Sequence, residues 1–199
     1  MATLRLGVIT ASTRDVRMGE KVARWFRGVA ARRPELEVVE LDLKVIGLPF
    51  LVDPRHPKVA EHDWPRPEQR AWVAAVSGCD AFAIVTPEYN HGYPGALKNA
   101  LDHAYAGWNG KPVGFVSYGG VAGGVRAVEQ LRQVIVELQM AAVRDEVNIP
   151  FVGRALDETG SPRDPHHLAR AEALLDQLLW WGETLRAGRA ARTFPPPPR

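Results

Sequence analysis

Three short segments of this chain carry the residue types that a ligand-binding site needs. The first, residues 11–19, reads Ala-Ser-Thr-Arg-Asp-Val-Arg-Met-Gly. Ser12 and Thr13 offer hydroxyls, and Arg14 and Arg17 offer guanidinium groups, just ahead of Met18 and Gly19, where a helix is expected to start. Open backbone N–H groups, a favourable dipole and an arginine able to contact two oxygens at once suit a phosphate monoester. No Gly-Lys-Ser/Thr follows, so the segment is not a Walker loop, and it is not Gly-x-Gly-x-x-Gly. The same residues would also serve as a Ser/Thr helix cap among solvated arginines.

The second segment runs Pro87-Glu88-Tyr89-Asn90-His91-Gly92-Tyr93. It suits a planar heterocycle: backbone amides over residues 88–92 can face a ring edge, and Tyr89 or Tyr93 can cover a ring face. Each tyrosine would equally serve as an aromatic anchor of the loop. His91 is either a titrating group or a locally bonded loop histidine, and Asn90 also satisfies turn backbone. The third segment, from Ser117 through Gly119 and Gly120 to Gly124, lets backbone approach a ligand closely. Ordinary strand-to-helix turn chemistry would use the same residues. A phosphate loop and a ring-cradling loop in one chain say more together than either does alone.

All three segments follow expected strands. Residues 4–10, 36–43, 81–85, 113–117 and 142–149 read as strands, with 81–85 wholly apolar, as a strand buried on both faces is. Helices are expected over residues 19–33, 68–77, from Pro94, over 125–139 and over 165–186. On the last helix Leu168, Ala171, Leu175, Leu178 and Leu179 are expected to face inward. Residues 44–67, dense in proline and histidine, read as a long irregular loop. Alternation of strand and helix argues for a parallel sheet with helices on both faces. Right-handed crossovers leave few orders, and 2-1-3-4-5 puts a switch point between strands one and three. The three segments then meet at one edge of the sheet.

Composition sets the outer limits. A chain of 199 residues is most simply one domain, taken here as residues 1–188, with a proline-rich tail over 189–199 expected to be disordered or extended. The net charge of +2 gives no footprint for nucleic acid. The single cysteine, Cys79, excludes an intrachain disulfide and a multi-cysteine zinc site, and it is expected to be buried and inert. The histidines show no ligand spacing, so no metal is expected. No apolar run approaches a membrane span, and the chain opens in a strand without a signal-peptide pattern, which points to the cytoplasm. Trp180-Trp181 is expected to pack in the core or between subunits.

The chain resembles the NAD(P)H-dependent FMN reductases, a family that includes quinone, azo-dye and chromate reductases. The resemblance rests on Ala11-Ser12-Thr13-Arg14, where the family usually reads Gly-Ser-x-Arg. It rests above all on Pro87-Glu88-Tyr89-Asn90 followed by Pro94-Gly95-Ala96-Leu97-Lys98-Asn99-Ala100-Leu101-Asp102. Lys111-Pro112-Val113 and the loop over residues 117–120 also match, and the likeness spans residues 4–149. It implies a flavodoxin-like α/β/α fold with non-covalent FMN and with NADPH or NADH as co-substrate. Ser12, Arg14 and the loop through Arg17, Met18 and Gly19 would hold the phosphate. Pro87, Glu88, Tyr89, Asn90, Ser117, Gly119 and Gly120 would line the isoalloxazine. The implied partners are a quinone-like or other small electron acceptor and further copies of the chain, as a homodimer or homotetramer. No side chain is assigned as catalytic. Ala11 in place of glycine removes low-cost access to positive φ. The rival reading is a flavodoxin-like electron carrier, or a flavin-binding regulator, without NAD(P)H turnover. Such carriers tend to be strongly acidic, and a charge of +2 weighs against one.

Overall fold

The computed structural model describes residues 3–195. The sheet contains β1 (Leu4–Thr10), β2 (Leu36–Asp42), β3 (Ala81–Pro87), β4 (Pro112–Tyr118) and β5 (Ala141–Ile149), in the order β2-β1-β3-β4-β5. Every neighbouring pair is parallel. The helices are α1 (Met18–Ala30), α2 (Leu43–Ile46), α3 (Pro57–Ala60), α4 (Pro67–Gly78), α5 (Gly95–Asp102), α6 (Val125–Glu137), α7 (Val152–Ala155) and α8 (Pro165–Ala191). This is the flavodoxin-like order expected from the sequence.

Side-chain alternation along the strands builds two cores. Leu6, Val8, Ala81, Ala83 and Val85 face α1 and α8, with Phe26, Leu174 and Leu178 opposite them. Ile9, Phe82, Ile84 and Phe115 face the other way, against Trp72, Leu97, Trp108 and Leu131. The middle strands β3 and β4 are buried along their whole length, which is why they read as unbroken apolar runs. Tight packing shows at Gly114, where a Cβ would lie 2.4 Å from Leu174 Cδ1. The register between β4 and β5 shifts at this point. Cys79 is buried, and burial pushes its thiol up to about 11.

Several expected boundaries move for identifiable reasons. β3 continues through Thr86 and Pro87, which pair with Ser117 and Tyr118 on β4. Pairing with β1 has ended at Val85, so proline's missing N–H is not needed there. Helix α1 stops at Ala30, and residues 31–33 tighten into a turn in which Arg33 N–H meets the Ala30 carbonyl at 3.0 Å. Pro94 is the N-cap of α5 rather than part of its first turn. The segment over 44–67 is not wholly irregular: α3 and the end of α2 lie in it, and Trp64 is buried with its Nε1 donating to the His103 carbonyl at 2.9 Å.

The long helix α8 departs from expectation in three ways. Its buried stripe takes His167 and Leu174, and leaves Leu168 exposed. Trp180 and Trp181 stand 61% and 39% exposed, so they are not core residues. The helix runs on through Ala191, past residue 188, and the Phe194 ring lies against Gly110. The rest of the expected proline-rich tail, residues 196–199, lies outside the described residues.

The close approach at Gly114 is open to test. Gly114→Ala is expected to lower stability by about 1–3 kcal/mol through overpacking. Combining it with Leu174→Ala should cost less than the sum of the two single changes, because the added methyl then fills part of the cavity. Strict additivity in denaturant titrations would contradict this packing.

Candidate functional site

The loops that follow β1, β3 and β4 meet at the carboxyl edge of the sheet, beside the switch point between β1 and β3. The first begins without distortion. Ala11 is buried and continues the strand, its N–H donating to the Val85 carbonyl at 3.0 Å. It needs no positive φ, so alanine serves there as well as glycine. Beyond it, the backbone N–H groups of residues 12–17 meet no protein acceptor among the described residues. Helix α1 starts directly afterwards without a side-chain cap. The result is a bay of open donors at the positive end of a helix dipole.

The two arginines of this loop have different tasks. Arg17 turns inward. It makes a two-pronged ion pair with Asp42 at the end of β2, one contact at 2.7 Å and one shorter, and donates to the Ser12 carbonyl at 2.5 Å. The two side chains are 5% and 9% exposed. The bonds to Asp42 raise the Arg17 pKa still further from its high ordinary value. Asp42 also accepts from Lys44 N–H at 2.9 Å and so caps α2. Arg14 is exposed and makes no side-chain ion pair among the described residues. Of the two cations expected at the phosphate, only Arg14 is free to approach one; Arg17 holds the loop.

Met18 opens α1 and packs its side chain on the core, leaving its backbone as its contribution to the bay. Gly19 is required by space. A Cβ there would lie 2.3 Å from Tyr118 Oη and 3.3 Å from Ser12 Cβ. Tyr118, at the end of β4, is buried, and burial reinforced by the nearby Tyr89 raises its pKa well above the ordinary value, so the phenol stays a donor. Ser12 Oγ lies 3.0 Å from Tyr89 Oη, which joins the first loop to the second.

The second loop is a tight reversal. Tyr89 N–H donates to the Gly92 carbonyl at 2.8 Å and Gly92 N–H returns the bond at 3.0 Å. Asn90 and His91 between them have φ of 50° and 69°. Positive φ at both central positions is the type I′ pattern, which asparagine and histidine enter more readily than most side chains. The loop therefore holds its shape from backbone pairing, and Tyr89 and Asn90 stand exposed at its tip. Glu88 sits at its base, its N–H bonded to the Tyr118 carbonyl at 3.2 Å.

The third loop is built from beneath. Ser117 is fully buried; its hydroxyl donates to the Gly123 carbonyl at 2.8 Å and accepts from Asn148 at 2.9 Å. It supports the loop from beneath. Gly119 and Gly120 give their carbonyls to the backbone N–H groups of Val152 and Phe151 at 3.0 and 2.9 Å. Gly124, at φ 92°, passes so close to Ser117 that a Cβ would fall 2.6 Å from the serine Cβ.

The structure thus brings together Ser12, Gly19, Tyr89 and Glu88 with Gly119, and leaves Arg14 and Asn90 at the rim. It sends Arg17 and Ser117 inward. Sequence reasoning missed Asp42, Tyr118 and Asn148 as parts of this site. Tyr118 alone carried a local signal: it shares the inward-facing alternation with Val116.

A doubly wound sheet with a donor-rich bay beside its switch point defines a flavodoxin-like fold with the features of a cofactor site. Comparison with known proteins narrows this. The sequence profile of the family described as NADPH-dependent FMN reductase matches residues 4–153. An NAD(P)H-dependent FMN reductase of Saccharomyces cerevisiae is 34% identical over 194 residues, covering 92% of this chain and 99% of its own. A quinone reductase of Pseudomonas putida is 29% identical over 189 residues, covering 92% and 96%. Among solved structures, the flavoenzyme NAD(P)H:acceptor oxidoreductase FerB of Paracoccus denitrificans superposes with a TM-score of 0.74 at 26% identity, over 92% of this chain and 98% of that one. The chain belongs to the NADPH-dependent FMN reductase family and is an oxidoreductase, with FMN as cofactor and NAD(P)H as co-substrate.

The unequal roles of the two arginines give a direct test. Arg17→Ala leaves Asp42 buried without its partner and is expected to lower stability by about 3–5 kcal/mol. Arg14→Ala is expected to leave the denaturant midpoint of the cofactor-free protein unchanged. Equal losses from the two changes would contradict the assignment.

Proposed function

We propose that this chain takes hydride from NAD(P)H onto FMN and passes it to a quinone-like or other electrophilic small molecule. The observation that carries the reading is the convergence at one sheet edge of open backbone donors, of Arg14, which has no ion pair among the described residues, and of the Ser12–Tyr89 link between the first and second loops. The chemistry that FMN supplies when bound is acceptance of hydride at N5 and its delivery to the acceptor. The backbone N–H groups of residues 12–17, the start of α1 and Arg14 hold the phosphate. Ser12 and Gly19 shape that bay, with Met18 contributing backbone and Arg17 fixing the loop from within. Pro87 to Asn90 form one wall of the ring seat and Gly119 and Gly120 the other, with Ser117 bracing the latter. The backbone N–H groups of Asn90 and Gly120, which meet no protein acceptor among the described residues, would favour negative charge on the ring system, so no side chain needs to act as acid or base.

The reading extends to a homodimer or homotetramer in the cytoplasm. Apolar side chains left in solvent, including Phe50 and Trp180, support subunit contacts. Among the described residues no helix is long and apolar enough to cross a membrane.

Two measurements test the proposal. Anaerobic addition of NADPH or NADH to the FMN-loaded protein should bleach the yellow flavin band within the mixing time of a stopped-flow instrument, and a quinone should restore it; a band that persists would refute hydride transfer. Separately, Arg14→Ala should weaken FMN binding by roughly 10- to 100-fold, the loss of one charge-assisted contact. Unchanged affinity by fluorescence titration would remove Arg14 from the phosphate site.

A further inference from the structure

A negative charge stands in the wall of the ring seat. Glu88 lies between Pro87 and Tyr89, its side chain is 6% exposed, and its Cβ is 3.7 Å from where a Cβ on Gly119 would lie. It therefore sits where the second loop meets the third. Reduction adds negative charge to a flavin. A bare carboxylate at this position would oppose that charge in a setting of low dielectric, where such repulsion is strong.

Arg126, in the first turn of α6, answers this charge from three directions. Its Nε donates to Glu88 Oε1 at 2.5 Å, and a second guanidinium nitrogen reaches the same oxygen. Its own backbone N–H donates to Glu88 Oε2 at 3.2 Å. That bond also places the carboxylate at the positive end of the helix dipole. One turn further along α6, Gln130 Nε2 donates to the His91 carbonyl at 2.9 Å. The helix thus grips the Tyr89–Gly92 reversal on both sides. Arg126 itself is 44% exposed, so packing does not account for its placement. Its contacts are with the charge beside the seat.

We propose that Arg126 is a positioning residue that neutralises Glu88 at the ring seat, so that a neighbouring carboxylate does not disfavour the reduced flavin. The inference rests on the reading of the three loops as the FMN site. It assigns Glu88 a role different from direct contact with the ring: the carboxylate joins the β3 loop to α6, and Arg126 cancels the electrostatic cost of having it there.

The test compares Arg126→Gln, Arg126→Lys, Glu88→Gln and the double variant Glu88→Gln/Arg126→Gln with the parent. FMN titration gives the affinity of the oxidised cofactor, and equilibrium redox titration against a reference dye gives the two-electron potential. Arg126→Gln is expected to hold oxidised FMN within a few-fold of the parent and reduced FMN roughly tenfold more weakly. That difference reads as a potential about 30 mV more negative. Arg126→Lys keeps the charge and should keep most of the potential. The double variant should return towards the parent, because the unpaired charge is gone. Should Arg126→Gln fail to fold, Glu88→Gln supplies the answer: with Arg126 left uncompensated, the potential should become more positive. An unchanged potential in the folded single variants overturns the inference, as does a double variant shifted as far as Arg126→Gln. A parent that takes up no FMN overturns the ring-seat reading and this inference with it. A parent that binds FMN, with variants that do not shift, overturns the inference alone.

Discussion

The cofactor edge depends on one buried ion pair. Asp42 ends β2 and Arg17 precedes α1, and their contact joins the outermost strand to the loop that forms the donor bay. Both groups are largely shielded from water, so their separation would leave a charge in the interior. The pair also draws Arg17 onto the Ser12 carbonyl and leaves Asp42 with a second duty as the cap of α2. The open amides of residues 12–17 can stay open because this side chain, rather than backbone pairing, sets the path of the loop. A loop that satisfied its own donors would have none to offer an anion.

The other two loops are fixed by different means. The reversal after β3 closes on itself through the Tyr89 and Gly92 backbones and holds both Asn90 and His91 at positive φ to do so. The glycine loop after β4 rests on the buried Ser117 hydroxyl and on backbone bonds to the segment after β5. Among the described residues few side-chain links tie these loops: Ser12 meets Tyr89, and Glu88 fastens the second loop to Arg126 on α6. Rigid loops joined by few contacts can hold a flat group without collapsing on the gap it needs.

The sequence made the architecture legible because the inner strands are buried on both faces. β3 and β4 read as apolar runs, and right-handed crossovers left few orders, of which the one with a switch point between strands one and three is the one observed. Loop identities were legible for the same reason: each follows a strand whose end was visible. Side-chain direction within a loop was not. Nothing near Arg14 or Arg17 in the sequence shows that Asp42 claims only one of them, since the partner lies on another strand. Nor does the sequence around Ser117 show that its hydroxyl is shared between the Gly123 carbonyl and Asn148, from β5. The tryptophans at 180 and 181 sit on a helix so long that its solvent-facing stripe also carries apolar residues, and periodicity alone could not separate the stripes. Long-range partners, not local propensity, decided each of these points.

Helix α8 begins near the cofactor edge, where His167 meets the Asn148 carbonyl, and crosses the molecule to the opposite edge. There Arg186 bonds the Thr3 carbonyl and Arg189 the Gly110 carbonyl. Residue 3 and the end of α8 therefore lie together, at the far side of the sheet from the donor bay. For an electrode or a sensor surface this is a useful polarity. A tether attached at either of these places presents the bay and the ring seat outward, towards soluble nucleotide and acceptor, and leaves the body of the sheet as the spacer between the support and the redox face.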